Sequence, residues 1–301
     1  MSTDAPTWFV EQYKDGVIQK YQSKGFLLKS TVTPAGSIEG SKAYFNLMGK
    51  GKANKKKRGQ AAVPMNAQKG RVEAVLETWE AFDEVYKYDL ARMSANEKEA
   101  IQMAGAMALG RATDDEIMAK MDASSSTLAA TGSGMKPLLD ANGLPAMVGG
   151  SAVAFDLKYL LLMASALKQA DVPWDGNVFC PLPSLLFDQA CAYKQFNNAD
   201  WTGADLSFTK ATVTKYWAGV HWFQAPDDLF IENEEDHYDI EMYHRSSSGW
   251  ANNSELESIW DWDNRLGCWT VRMETEGAAG CFQPEGTVRG RFAVPTDITL
   301  N

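Results

Sequence analysis

The sequence predicts an α+β fold. Two observations carry this: one helix-forming run of unusual length in the first half, and strand-like runs that dominate beyond Trp201. The elements follow in mixed order, without the strict strand–helix alternation of a doubly wound sheet. No internal repeat is visible. A chain of 301 residues allows one large domain or two to three smaller ones, and 45% hydrophobic with 23% charged residues excludes wholesale disorder. No apolar run approaches the ~20 residues of a membrane span, the longest lying around Tyr159–Leu167. Met1–Val10 has no basic stretch ahead of an apolar block, so no secretory signal is expected. Solubility and synthesis in the cytoplasm are the corresponding expectations.

The elements follow from local pattern. Thr7–Lys24 places Trp8, Phe9, Tyr13, Val17, Ile18 and Tyr21 at helical spacing, stopped at Lys24-Gly25 and followed by an extended Phe26–Val32. A lone amphipathic helix has little core, so this stretch reads as an arm lying on something else. Ser41–Met48 and Arg71–Trp79 are strand-like, and together they predict a long hairpin across the glycine-rich Gly49–Gly70. An isolated hairpin is marginal in water, so this one should rest on a neighbour.

Ser94-Ala95-Asn96-Glu97 matches a capping box that opens a helix to about Met121, roughly 40 Å at 1.5 Å per residue. Ile101, Ala104, Ala108 and Ala112 track one face, broadened by Met103, Met107 and Met118, while Gly105 and Gly110 would let it bend. The Ser/Gly-rich Ala123–Gly134 reads as loop. Further helices are expected over Phe155–Gln169 and, with a cap at Ser184, over Ser184–Ala192. Val178–Pro181, Val213–Val220, Tyr238–His244, Cys268–Glu274 and Thr287–Val294 are the expected strands.

Charge is unevenly placed. The net charge is −10, yet Gly40–Val72 holds nine Lys or Arg and no acid, leaving −19 on the rest. Lys50, Lys52, Lys55, Lys56, Lys57 and Arg58 crowd the hairpin tip. Opposite in sign, Asp227–Glu241 carries eight carboxylates in fifteen residues without a Lys or Arg, among them Asp227, Asp228, Glu232, Glu234, Glu235 and Asp236. A basic segment on an acidic body argues against a general nucleic-acid binder; it reads as a docking loop for an acidic face of another copy, with a solvated surface loop and a nucleic-acid or import patch as the alternatives.

Catalytic templates fail. The chain has no G-x-S-x-G elbow, no Walker loop and no G-x-G-x-x-G after a strand. His237 and His244 beside the acidic run lack an H-E-x-x-H frame, and Cys180, Cys191, Cys268 and Cys281 lack C-x-x-C spacing, so no metal is expected. His221, between Val220 and Trp222, reads as a packed strand residue. Asp114-Asp115-Glu116 sit adjacent on a helix and point apart, so they form no two-acid site. No enzyme activity and no cofactor are expected. Ten scattered tryptophans and the acidic run leave a carbohydrate-binding or hydrolytic protein as the alternative from another class.

The order of parts resembles the major capsid proteins of tailed bacteriophages, the Hong Kong-type capsid fold. Ala108-Leu109-Gly110-Arg111-Ala112-Thr113-Asp114-Asp115-Glu116-Ile117 is similar to the end of that family's spine helix, and Phe179-Cys180-Pro181-Leu182-Pro183 to the strand before its plug-in helix. Tyr243-His244-Arg245-Ser246-Ser247-Ser248-Gly249-Trp250-Ala251 resembles its late-chain segment. Gly280-Cys281-Phe282-Gln283-Pro284-Glu285-Gly286 resembles its closing strand and turn.

The resemblance implies an N-terminal arm at 1–33 and an extended β-hairpin loop at 34–80. It implies a peripheral domain with the spine helix at 81–150 and 241–301, and an axial domain at 151–240. It further implies hexamers and pentamers of an icosahedral shell in the virion, enclosing double-stranded DNA without sequence-specific binding. The arm begins within ten residues of Met1, which implies a separate scaffolding protein or none; portal and decoration proteins are further expected partners, and no membrane is. An encapsulin-like bacterial compartment shell shares the fold and stays open as the nearer alternative.

Overall fold

The computed structural model describes residues 22–23, 25–34, 37–59, 61–65, 67–86, 97–122, 126–130, 135–137, 152, 154–197, 214–230 and 237–295. The expected N-terminal helix, apart from Gln22 and Ser23 at its end, and the serine of the capping box lie outside them. The chain divides into two compact units: one from the described parts of 1–25, 78–112 and 254–276, the other from those of 26–77, 113–253 and 277–301.

The second unit is built on a seven-stranded mixed sheet. Its strands are β6 (Ser126–Ala130), β7 (Met135–Pro137), β8 (Val178–Leu182), β9 (Thr214–Trp217), β10 (Val220–Gln224), β11 (His237–His244) and β14 (Thr287–Ala293), in the order β7-β6-β14-β11-β8-β10-β9. Strand β11 pairs antiparallel with β14, from His237↔Ala293 to Tyr243↔Thr287, and β8 pairs parallel with β10.

Helices α2 (Leu157–Gln169) and α3 (Ser184–Ala192), with the single turn α4 (Lys194–Asn197), pack on this sheet. Leu160, Met163 and Leu167 of α2 meet Val178, Cys180, Trp222, Met242 and Phe292 in one continuous core. Asp156, in extended conformation, caps α2 by accepting from the Lys158 N–H.

Three expectations are corrected here. Val213–Val220 is not one strand: Ala218 (φ 54°) and Gly219 (φ 84°) turn it into the β9–β10 hairpin, two consecutive positive-φ residues being the tight turn that matches strand twist. Ser126–Ala130, expected as loop, is strand β6 pairing parallel with β14, because sheet pairing overrides its small-residue composition. Phe26–Val32 is not fully extended but contains a 3-10 turn at Leu28–Ser30.

The basic hairpin is present. Strands β2 (Ser37–Glu39), β3 (Lys42–Met48) and β4 (Lys69–Val75) form a three-stranded antiparallel sheet, with β3 and β4 in register from Lys42↔Val75 to Met48↔Lys69. It does rest on a neighbour: Ala43, Phe45 and Ala74 bury against Ala251 and Ala278, and Phe282 stacks on Phe45 with ring centroids 4.9 Å apart. The run Arg71–Trp79 divides at Leu76, where β4 ends and β5 (Glu77–Tyr86) begins in a different sheet.

A four-stranded sheet takes the order β1-β12-β13-β5, with β1 at Thr33–Pro34, β12 at Ser248–Asp263 and β13 at Cys268–Cys281. Helix α1 (Glu97–Asp122) is 26 residues long, close to expectation. Its glycines serve close approach. At Gly105 a Cβ would sit 2.0 Å from the Met273 methyl carbon, and Gly110 is crossed by Gly25.

Candidate assembly surfaces

Backbone pairing fixes the base of the basic loop, where the Gly49 N–H donates to the Gln68 carbonyl at 2.6 Å. Lys42 bonds Glu73 across the strands at 2.6 Å, and the Arg71 guanidinium lies 3.4 Å from the Tyr44 ring centroid. Lys50, Lys52, Lys55, Lys56, Lys57 and Arg58 are all exposed, as the sequence predicts for a tip. The loop is not purely basic, for Met48 (70% exposed), Val63 (59%) and Met65 (55%) lie outside with them.

Lys50, among these six cations, pairs with a carboxylate of the same chain. Lys50 Nζ lies 2.9 Å from Asp171 Oδ2, which holds the ammonium above its ordinary range and the carboxyl below. Both groups are open to solvent, so salt weakens the pair. Asp171 itself ends α2: at φ 60° its N–H donates to the Lys168 carbonyl and the Val172 N–H to the Leu167 carbonyl, the pair of hydrogen bonds that closes helices at a left-handed residue. A groove of about 430 Å³ opens beside the pair, lined among others by Met48, Lys50, Asp171, His244, Phe282 and Glu285.

The acidic run is divided by the fold. Glu232, Glu234, Glu235 and Asp236 lie outside the described residues. Asp228 is exposed. Asp227 accepts from both the N–H (2.7 Å) and the hydroxyl (2.8 Å) of Ser184. Ser184 is therefore not its helix's cap but the first helical residue, and the capping acceptor comes from 43 residues away. Asp227→Ala should cost about 1–2 kcal/mol, the usual loss at a helix N-terminus, and a urea titration beside Asp228→Ala, expected near zero, measures it.

Farther along, β11 turns its acids inward. Asp239 (8% exposed) accepts from Arg291 through two bonds of 2.8 Å and from Arg289, which also pairs with Asp122. Burial pushes the Asp239 carboxyl up, but the two guanidinium groups outweigh it and hold it below the usual range. Glu241 is 1% exposed.

The first unit shows what the sequence reading missed. Its described core is thin, consisting of Val85, Leu109, Cys268, Val271 and Met273, while Phe82, Tyr86, Leu256, Ile259, Trp262 and Leu266 are exposed. Glu80, Asp83, Glu257 and Asp261 are exposed among them. Strand β12 supplies half of this surface and was not foreseen. The signal was the alternation Trp260-Asp261-Trp262-Asp263 ahead of the turn at Asn264–Gly267.

Other singled-out residues fall into packing. His221 stacks on Phe179 (5.2 Å) and lies against Tyr216 (4.7 Å). Trp222 is buried, its indole N–H bonded to the Trp217 carbonyl. Cys180 and Cys268 are buried and Cys191 and Cys281 half-buried, all as free thiols. Burial pushes the Cys180 thiol well up. Among the described residues no cluster of three His, Cys, Asp or Glu is placed to hold a metal ion, and no helix is long and apolar enough to cross a membrane. Asp115 and Asp114 point apart as expected, but Asp114 is buried and bonded to the Leu27 and Leu28 N–H groups.

A basic, apolar-tipped hairpin and a strand pair with much of its apolar surface outside suit a chain that completes its packing against other copies. Residues 5–294 match the family described as phage capsid protein. The chain belongs to the phage capsid protein family.

Solved structures agree in fold. Mycobacterium phage Che8 is 16% identical with a TM-score of 0.66, covering 95% of this capsid protein and 98% of that chain. The capsid of Ralstonia phage GP4 is 10% identical at TM-score 0.68 and full coverage of both. The capsid of cyanophage P-SCSP1u is 14% identical at 0.67, covering 96% and 94%. Comparison with curated proteins yields no match.

The α+β capsid fold and the role of major capsid protein expected from the resemblance are thus borne out. The capsid protein is a structural component of a shell oligomer and belongs to the virion. Neither the compartment-shell nor the carbohydrate reading is favoured.

Proposed function

We propose that this capsid protein forms hexamers and pentamers of an icosahedral shell enclosing double-stranded DNA, and that it carries no active site. The observation that carries the reading is the exposed basic loop on an acidic body, which is self-complementary between copies. Residues 34–80 are its extended loop and 1–33 its arm. Residues 81–150 with 241–301 form the peripheral domain, and 151–240 the axial domain. The chain is made in the host cytoplasm, with separate scaffolding, portal and decoration proteins completing the particle. The acidic body favours a container from which DNA can leave, since a strongly basic wall would hold the phosphates.

In this reading the loop tip docks on carboxylates of a neighbouring copy. Asp227 is committed to Ser184 and Glu80 pairs with Arg272, so Asp228 and the exposed Glu257 and Asp261, with Glu232, Glu234, Glu235 and Asp236 of the same acidic run, are the partners this reading assigns. Reversing charge at Lys55, Lys56 and Lys57 together should lower shell yield roughly tenfold or more, because like charges then face each other. Negative-stain microscopy beside a sizing column in low and high salt reads the result. Shells of normal yield from the triple variant would end the docking-loop reading. A genome inside wild-type particles supports the DNA-container reading, and particles holding protein cargo would replace it.

A further inference from the structure

The segment 25–32 is seated on the long helix by one buried carboxylate. Asp114 is 4% exposed; its Oδ2 accepts from the Leu27 N–H at 2.9 Å and its Oδ1 from the Leu28 N–H at 3.0 Å. Those donors open the 3-10 turn Leu28–Ser30, whose far end is closed by the Thr31 N–H and hydroxyl on the Leu28 carbonyl. Leu28 and Val32 are fully buried, and the Thr31 hydroxyl bonds that of Tyr243 on β11.

The charges around the site do not favour an anion. Asp115 follows on the same helix and repels it. Tyr243, facing from β11, is kept neutral by burial. The nearby cations bond elsewhere: Arg111 to the Ser23 carbonyl and Gln22, Lys29 over the Phe26 ring, and Arg245 to the Val32 carbonyl. Among the described residues no cation bonds Asp114.

We propose that Asp114 is a proton-operated latch on the segment 25–32: acid seats the segment on the long helix, and higher pH loosens it. Burial pushes the Asp114 carboxyl up to about 6, the two N–H bonds notwithstanding. When the segment lifts, water reaches the carboxyl and its affinity for a proton falls to the ordinary carboxylate range near ~4. Between these limits the seated state holds the extra proton. Each unit of rising pH therefore favours opening by about tenfold, to a total of roughly a hundredfold.

The test is amide hydrogen exchange of Leu27 and Leu28 in the full chain from pH 4 to 8. It is run where opening equilibrates before exchange, and corrected for intrinsic chemistry. Protection should be greatest near pH 4, fall about tenfold per unit to pH 6 and stay level above. Asp114→Asn, permanently neutral, should give a flat profile. Asp115→Asn should keep the fall but move its midpoint to lower pH, because the repelling charge is gone. A wild-type protection independent of pH overturns the latch, as does the same fall surviving in Asp114→Asn. Should Asp114→Asn fail to fold, an unmoved midpoint in Asp115→Asn overturns it instead.

Discussion

Replacing Asp239 by alanine should lower the unfolding free energy by about 3–5 kcal/mol, the range for breaking a buried ion pair from one side. Asp239 is the shared acceptor of two guanidinium groups, and Arg289 is almost wholly inside. Removing the carboxylate leaves that cation with Asp122 as its described ion-pair partner, and the desolvation already incurred is no longer offset. The register explains the concentration of charge, since Asp239 lies opposite Arg291 on β14, with Arg289 two residues along the same face. Asp239→Asn, keeping shape and one acceptor, should cost less than alanine. Urea titration of the three proteins at neutral pH measures the order.

The same residue sets an acid limit. A carboxyl held below its unfolded value stabilises the fold above that value, and the stability is lost as pH falls through the folded one. Asp114 has the opposite sign. Its carboxyl is raised to about 6, so its contribution is full below ~4 and lost as pH rises through 6. Acidification from pH 6 to 4 therefore tightens the segment at Asp114, and the guanidinium pair at Asp239 fails below that window.

Gly25→Ala should destabilise by about 2–5 kcal/mol, from a left-handed backbone worth ~1–2 and overpacking worth ~1–3. Gly25 has φ 68°, and a Cβ there would stand 2.2 Å from the Gly110 carbonyl carbon and 2.4 Å from the Arg111 nitrogen. Those are backbone atoms of a helix, which cannot rotate aside as a side chain would. Gly40→Ala separates the two causes: Gly40 has φ 62° but nothing within 4 Å, so it should show the conformational cost alone, about 1–2 kcal/mol. Equal losses at the two glycines would remove close packing from the account of Gly25.

Much of the fold was legible because it is local. The long helix, the basic hairpin, α2, β8 and α3 each announce themselves by periodicity, by a cap or by turn residues. The Ser126–Ala130 strand was missed because its small residues carry no strand pattern until β14 lies beside them. Strand β12 was missed because its acids and serines interrupt the apolar alternation; it holds its place by pairing within the sheet. The six cations crowding the tip were legible as a charge run, and the structure leaves them exposed, since nothing in that stretch could bury them.

The carboxylates were a different matter. Asp114 and Asp115 are adjacent acids in the sequence, as are Asp227 and Asp228, and in each pair the two members differ: Asp115 and Asp228 are exposed, while Asp114 is buried on two N–H groups and Asp227 is bonded to Ser184. Their partners lie 87 and 43 residues away, beyond any window of local pattern. By itself the sequence determined the class of fold, the order of its parts and the placement of a basic loop on an acidic chain, because periodicity and net charge are properties of consecutive residues. Tertiary structure alone decided which acids are surface and which are latch, cap or counter-ion. An ionisable group's role depends on its distance from water and from opposite charge, and only the folded chain fixes those distances.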